Sequence, residues 1–182
     1  MARPSIPFIG FVPPPLDADV NRLIELLHLS RHPEGGFFVE TFRAAGAVAH
    51  PQTHATRSAS TAIYFLLPRG SFSAFHRVRS DEVWHHYDGG TVEIHTIVEE
   101  YGAPPTHRVE RLGRDLVAGE RPQVVVPGGV WQAALPVGDR YSLCGCTVAP
   151  GFDFADFELP TRETLIARFP TLSRVIERLT NG

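Results

Sequence analysis

The chain contains no lysine; all 17 of its Lys/Arg-type residues are arginine. That absence excludes Schiff-base chemistry, attachment of pyridoxal phosphate and a P-loop lysine. Cysteine is almost absent as well, with Cys144 and Cys146 the only two. One residue apart on a strand, they point to the same face, a spacing that does not suit an ordinary structural disulfide. They read as buried free thiols; a redox or metal role would need two further ligands nearby. There is no basic surplus, because the formal net charge is −3, and this argues against nucleic acid as a partner. No apolar run approaches the roughly 20 residues that span a bilayer, so no membrane partner is expected. The N-terminal stretch MARPSIPFIGFVPPPLD is broken by prolines and offers no small-residue cleavage site after a clean apolar segment. The expectation is a cytoplasmic protein.

What the chain does have is an ordinary globular balance, 43% hydrophobic and 20% charged over 182 residues, which suits one domain with one core. Residues 1–16 are proline-rich and read as an extended arm, leaving 17–182 as the domain. Val20, Leu23, Ile24 and Leu27 recur at helical spacing, with Asp17 or Asp19 placed to cap the start. This helix ends near Ser30, before HPEGG forces a turn. Short strand-like runs follow: FFVETFRA, STAIYFLL, SAFHRVR, EVWHHYD, TVEIHTIVE, HRVERLG, QVVVPGG, WQAALPV and SLCGCTVA. Their spacing and turn signals predict a sandwich or barrel. After PGFDFADFELP the period is helical again, with Thr161 as a cap and Pro170 separating two short helices.

The segment from Gly70 to Gly89 carries the chemistry. Alternation puts Phe72, Ala74, His76 and Val78 on one face of a strand, and Glu82, Trp84 and His86 on one face of the next. An imidazole and a carboxylate meeting inside a small barrel can bind a metal, move a proton or orient a polar ligand. Farther on, a Pro-Gly-Gly turn precedes Trp131 and Gln132, which take opposite faces. Arg43, Arg57 and Arg69 lie near strand ends, where an arginine can pair bidentately with a substrate carboxylate or phosphate. Gly35–Phe38 and Pro150–Phe154 read as structural turns, since neither has the strand–loop–helix context of a phosphate cradle.

The spacing of Gly70, His76, Val78, Glu82 and Gly89 resembles the first cupin motif, and Pro127-Gly128-Gly129 with Gln132 resembles the core of the second. LIELLHLSRHPEGGFFVETFRA, STAIYFLLPRGSFSAFHRVRSDEVWHHYDG, VVVPGGVWQAA and GCTVAPGFDFADFEL together resemble the cupin-5 family of uncharacterised proteins, with an RmlC-like jelly roll, over about residues 21–158. The resemblance implies a mainly β fold: a cupin double-stranded β-helix, or jelly-roll barrel, with an N-terminal helix and short C-terminal helices, assembling as a homodimer. Metal-binding cupins draw three histidines and a glutamate from the two motifs. This chain matches at His76 and Glu82 only, with Val78 and Gln132 in the other two places.

Three readings of function follow. In the first, the protein binds a small molecule and acts as a metal-independent epimerase or isomerase of a sugar or sugar nucleotide, by analogy with the dTDP-sugar epimerases. His76 is then the base and Glu82 holds its tautomer. Gln132 and His86 orient the substrate, Phe72, Trp84 and Tyr64 contact it, and Tyr64 or Tyr87 stands as an acid. The second reading is a metal-dependent enzyme in which His76, Glu82 and Gln132, or His86, hold a divalent metal. The third is a non-catalytic sensor or carrier of a metabolite. No organic cofactor is called for in any of them.

Overall fold

Helix α1 (Ala18–Leu27) begins where the Asp17 carboxylate accepts a hydrogen bond from the Asp19 N–H at 2.9 Å, so the first of the two candidate caps is the one used. It ends on His28 in the left-handed conformation, φ 55°. The computed structural model describes residues 17–181; the proline-rich stretch 1–16 lies outside them. In chain order the strands are β1 (Ser30–Arg31), β2 (Phe37–Arg43), β3 (Ala47–Ala49), β4 (Thr56–Ser58), β5 (Thr61–Leu67), β6 (Ser73–Val78) and β7 (Asp81–Gly89). They continue with β8 (Val92–Val98), β9 (Thr106–Leu112), β10 (Gln123–Val126), β11 (Trp131–Pro136), β12 (Ser142–Ala149) and β13 (Phe157–Glu158). Helices α2 (Arg162–Arg168) and α3 (Ser173–Arg178) follow, with a 3₁₀ turn starting at Pro170 between them. Each of the nine strand-like runs in the sequence is a strand here, and Thr161 caps α2 by accepting from the Thr164 N–H at 3.3 Å.

Two sheets face each other. One runs β1-β2-β5-β12-β7-β10, the other β13-β6-β11-β8-β9, and β3-β4 is a separate ribbon. The sheets stay separate ladders, so the jelly roll is a flattened barrel. Its inner core, drawn from both sheets, includes Phe65, Leu67, Trp84, Ile94, Leu112 and Val126. The outer face of the second sheet is covered by α2 and α3, which bring Leu165, Phe169 and Ile176 onto Phe75, Ile97 and Trp131. The outer face of the first packs Val20 and Leu29 on Phe37 and Leu66. Strand β5 is therefore covered on both sides, as its continuous apolar run requires. No helix among the described residues is long and apolar enough to cross a membrane.

Two local irregularities aim the side chains. The β6–β11 register shifts between Gln132↔His76 and Ala134↔Ser73, so β6 carries an extra residue there. Beyond it ordinary alternation resumes, and Phe75 turns to the helices while His76 turns inward. The Pro127-Gly128-Gly129 turn is docked on the β6–β7 connection: the Gly129 N–H donates to the Val78 carbonyl at 2.7 Å and the Gly128 N–H to Asp81 at 2.8 Å. A methyl on Gly128 would stand 2.2 Å from the Arg79 carbonyl oxygen. Only glycine permits this contact, and the contact sets the register that puts Gln132 beside Glu82.

Candidate functional site

Between the sheets, where β6 gives way to β7, lies a cavity of about 300 Å³ with His32, Glu34, His76, Glu82 and Cys146 among its lining residues. Its walls are aromatic, from Phe38, Phe65, Phe152, Phe154 and Phe157, and Arg43 and Asp153 also reach it.

His76 is 2% exposed. Its Nδ1 sits 2.8 Å from the Ala74 carbonyl oxygen and 3.4 Å from Glu34 Oε2. A carbonyl only accepts, so Nδ1 carries the hydrogen. The lone pair of the neutral ring is then on Nε2, which has no hydrogen bond among the described residues and belongs to a cavity-lining side chain.

Glu34 comes from the HPEGG turn, which is clamped to the start of β6. The Ala74 N–H donates to the Glu34 carbonyl at 2.8 Å, and Ser73 Oγ donates to Glu34 Oε1 at 2.8 Å. Gly35, at φ +116°, lies so close to the Phe72 carbonyl oxygen that an added methyl would be 2.2 Å from it. Burial pushes the Glu34 carboxyl up, but the charge of His76, the hydrogen bond and charge of His32, and the Ser73 hydroxyl outweigh it and hold it below its ordinary value. His32 Nδ1 has two neighbours with opposite demands: the Glu34 N–H at 3.5 Å offers a hydrogen, and Glu34 Oε2 at 3.3 Å asks for one. The ionised carboxylate is both nearer and the stronger partner, so Nδ1 keeps the hydrogen.

Glu82 is the opposite case. Burial, with Glu34 adding to it, raises its carboxyl above the ordinary value against the pull of His76, Gln132 and Cys146. Gln132 Nε2 donates to Glu82 Oε2, and Trp84 Nε1 donates to Gln132 Oε1 at 3.0 Å. An indole can only donate, so the Trp84 N–H fixes which way the Gln132 amide faces. The chain Trp84–Gln132–Glu82 aims the carboxyl from beneath. A carboxyl raised in the fold favours stability while protonated and loses that contribution as pH rises from its ordinary 4.5 through the folded-state value. Melting curves of Glu82→Gln and wild type between about pH 4 and pH 8 should therefore separate progressively in the variant's favour as pH increases. A constant gap would remove the raised carboxyl.

The model of the family described as Cupin superfamily (DUF985) matches residues 21–160. The chain belongs to this cupin family. A yeast relative, Uncharacterized protein YML079W of Saccharomyces cerevisiae, is 31% identical over 173 residues, 85% of this chain and 83% of its own. A solved hypothetical protein from Leishmania major has a TM-score of 0.83 and 33% identity, covering 89% of this chain and 98% of that one. Protein SO0799 from Shewanella oneidensis superposes with a TM-score of 0.80 at 38% identity, over 89% of this chain and 97% of that one.

Of the donors that metal-binding cupins draw from the two motifs, this cupin has only His76 and Glu82. Valine occupies position 78, and Gln132 has both ends of its amide engaged, by Glu82 and by Trp84. Among the described residues no group of three or more His, Cys, Asp or Glu side chains is arranged to hold a metal ion. The donor set His76, Glu82, Gln132 therefore does not fit the metal.

Of the sequence candidates, His76 and Glu82 line the cavity of this cupin and Gln132 backs it. Trp84 is in the inner core beneath Gln132. Phe72 precedes β6, so strand alternation does not govern it, and it packs with Phe75 toward the C-terminal helices. Tyr64 has the outward parity of β5 and meets Tyr87 edge-on at 5.9 Å, on the outer face. His86 lies toward the far end of β7, with Nε2 2.9 Å from the Gly90 carbonyl oxygen. None of these four lines the cavity. Arg57 is committed to Asp156 at 2.7 Å, and Arg43 to Glu40 and the Phe152 carbonyl. The sequence reading missed His32, Glu34 and the Phe152–Phe157 wall. The available signal was a charged residue set between Pro33 and two glycines, the composition of a turn that approaches other backbone closely.

Proposed function

We propose that this cupin takes a small carbonyl compound, of the sugar or sugar-nucleotide kind, and isomerises or epimerises it by proton transfer without a metal. The observation that carries this reading is the commitment of His76 Nδ1 to Ala74 and Glu34, which leaves Nε2 as a base on the cavity side. Nε2 takes the proton from the carbon next to the carbonyl, and the electron pair moves into the enolate. The Glu34 carboxylate behind Nδ1 compensates the imidazolium that forms. It thus takes the orienting role that the sequence reading gave to Glu82. Glu82, with its carboxyl raised by burial, is the group that keeps a proton to share with the enolate oxygen. Two carboxyls pushed in opposite directions within one cavity are the pattern of a divided acid–base task. Aromatic walls suit the flat faces of a sugar ring, and a volume near 300 Å³ is at the small end of ligand sites.

The test is exchange of solvent deuterium into nucleoside-diphosphate keto-sugars. His76→Ala should lower exchange and turnover by about 10²–10⁴-fold, the usual contribution of a positioned base, while its melting temperature shows the fold retained. Turnover surviving in the variant would sink the mechanism. Tight binding of the same compounds by wild type, with no exchange over hours, would make the protein a carrier.

A further inference from the structure

We propose that His32 is a second catalytic acid–base group, acting on the face of the substrate carbon opposite His76, with Glu34 as counter-ion to whichever ring is protonated. This rests on the isomerase reading above and names the stereochemical course of that same site.

The two rings come from opposing sheets. His32 directly follows β1 in the six-stranded sheet and packs edge-on to Phe38 and Phe65, with centroids 4.6 and 5.8 Å away. His76 is on β6 in the five-stranded sheet. Both line the one cavity, and both rings touch Phe157, at 6.0 and 5.5 Å. Their Nδ1 atoms converge on a single oxygen, Glu34 Oε2, at 3.3 and 3.4 Å. Both Nδ1 atoms hold hydrogens toward that carboxylate, so both Nε2 atoms are left for the cavity. Neither Nε2 has a hydrogen bond among the described residues.

Charge then divides the labour. The side chains of His32, His76 and Glu34 are 7%, 3% and 7% exposed. One buried carboxylate balances one imidazolium; a second would be an uncompensated buried charge. The proposed cycle therefore starts with one ring as acid and the other as base, and the enolate, once formed, balances the second imidazolium. In one direction His76 Nε2 takes the proton from the carbon beside the carbonyl. The C–H electron pair enters the enolate, whose oxygen Glu82 holds. His32 Nε2–H then delivers its proton to the opposite face. The stereocentre is inverted, nothing is oxidised or reduced, and the protonated ring is now His76. Exchange with solvent, or turnover in the reverse sense, resets the pair. The Nδ1 hydrogens do not move.

The experiment follows a thymidine-diphosphate-linked 4-keto-6-deoxyhexose in D₂O by NMR and mass spectrometry, with wild type, His32→Asn and His76→Asn. In the first wild-type turnovers the product should carry one deuterium at the inverted carbon while recovered substrate carries none. His32→Asn should lose inverted product by about 10²–10⁴-fold yet wash deuterium into the recovered substrate at a rate within about tenfold of wild-type product labelling, because His76 still removes and returns the proton on its own face. His76→Asn should lose that exchange. Two results overturn the inference and leave the isomerase reading standing: His32→Asn inverting within about tenfold of wild type, or wild type labelling substrate and product equally from the start. The second needs no variant, so a misfolded mutant cannot protect the idea. No exchange by folded wild type removes the isomerase reading and this inference together.

Discussion

Glu34→Gln should be slower than wild type by about 10²–10³-fold in solvent exchange and less stable by about 1–3 kcal/mol. The size of the side chain is kept, so packing is not the cause. What is lost is the anion on which two imidazoles converge at 3.3 and 3.4 Å. Once it is neutral, the imidazolium that forms at His76 during turnover is a buried charge without a partner, which raises the barrier to taking the proton. The stability loss should read as a fall of roughly 2–10 °C in melting temperature for a chain of this size. Its pH dependence identifies the group. The Glu34 carboxyl is held below its ordinary 4.5, so its contribution is present above that value and is lost as pH falls through the folded-state value. The gap between wild type and variant should therefore be widest above about pH 5 and narrow in acid. A variant that keeps more than about a tenth of wild-type exchange would show that Glu34 neither orients His76 nor balances it.

Gly35→Ala should be destabilised by about 2–5 kcal/mol and lose activity with the stability. Two penalties coincide there. The backbone is at φ +116°, which L side chains rarely adopt, and the new methyl would be 2.2 Å from the Phe72 carbonyl oxygen. That oxygen is backbone at the edge of β6, so relief requires the turn to lift. A lifted turn takes Glu34 away from Ser73 and Ala74, and the histidines lose their shared partner. Gly46→Ala is the control, because an added methyl there meets nothing within 4 Å; its effect should stay within about 0.5 kcal/mol. Equal melting temperatures for the two variants would show that the HPEGG turn is not held as described.

Local chemistry made the scaffold legible. Nine of the strands announced themselves by β-branched or alternating residues between Gly, Pro and Asp, whereas the short β1, β3, β4 and β13 did not, and Asp17 and Thr161 capped the helices they preceded. Alternation also put His76 and Glu82 on faces that can meet and set Trp131 and Gln132 on opposite faces. The site was only half legible, for two physical reasons. Glu34 acquires its meaning from Ser73, Ala74 and His76, about forty residues away, and nothing in HPEGG encodes that docking. Parity, moreover, is reliable only within an unbroken strand. Phe72 lies before β6 and across its bulge, and a sheet buried on both faces, where neighbours such as Phe75 and His76 are both buried on opposite sides, offers two interiors. Tyr64 and Phe72 entered the wrong one of these. Trp84 entered the right one, but its indole N–H is spent on Gln132 beneath the cavity.

The position of β12 has a consequence for biosynthesis. It is the last long strand in the chain, yet it lies in the middle of the six-stranded sheet, paired along its length with β5 on one side and β7 on the other. Until residue 149 is available, the halves β1-β2-β5 and β7-β10 have no ladder between them, and each shows an unpaired edge, the one along β5 rich in apolar residues. At roughly 5–20 residues per second, those edges stay open for seconds during each round of synthesis. The nascent chain is thus most exposed to edge-to-edge association just before β12 emerges, and a chain stopped short of residue 142 would keep both edges permanently.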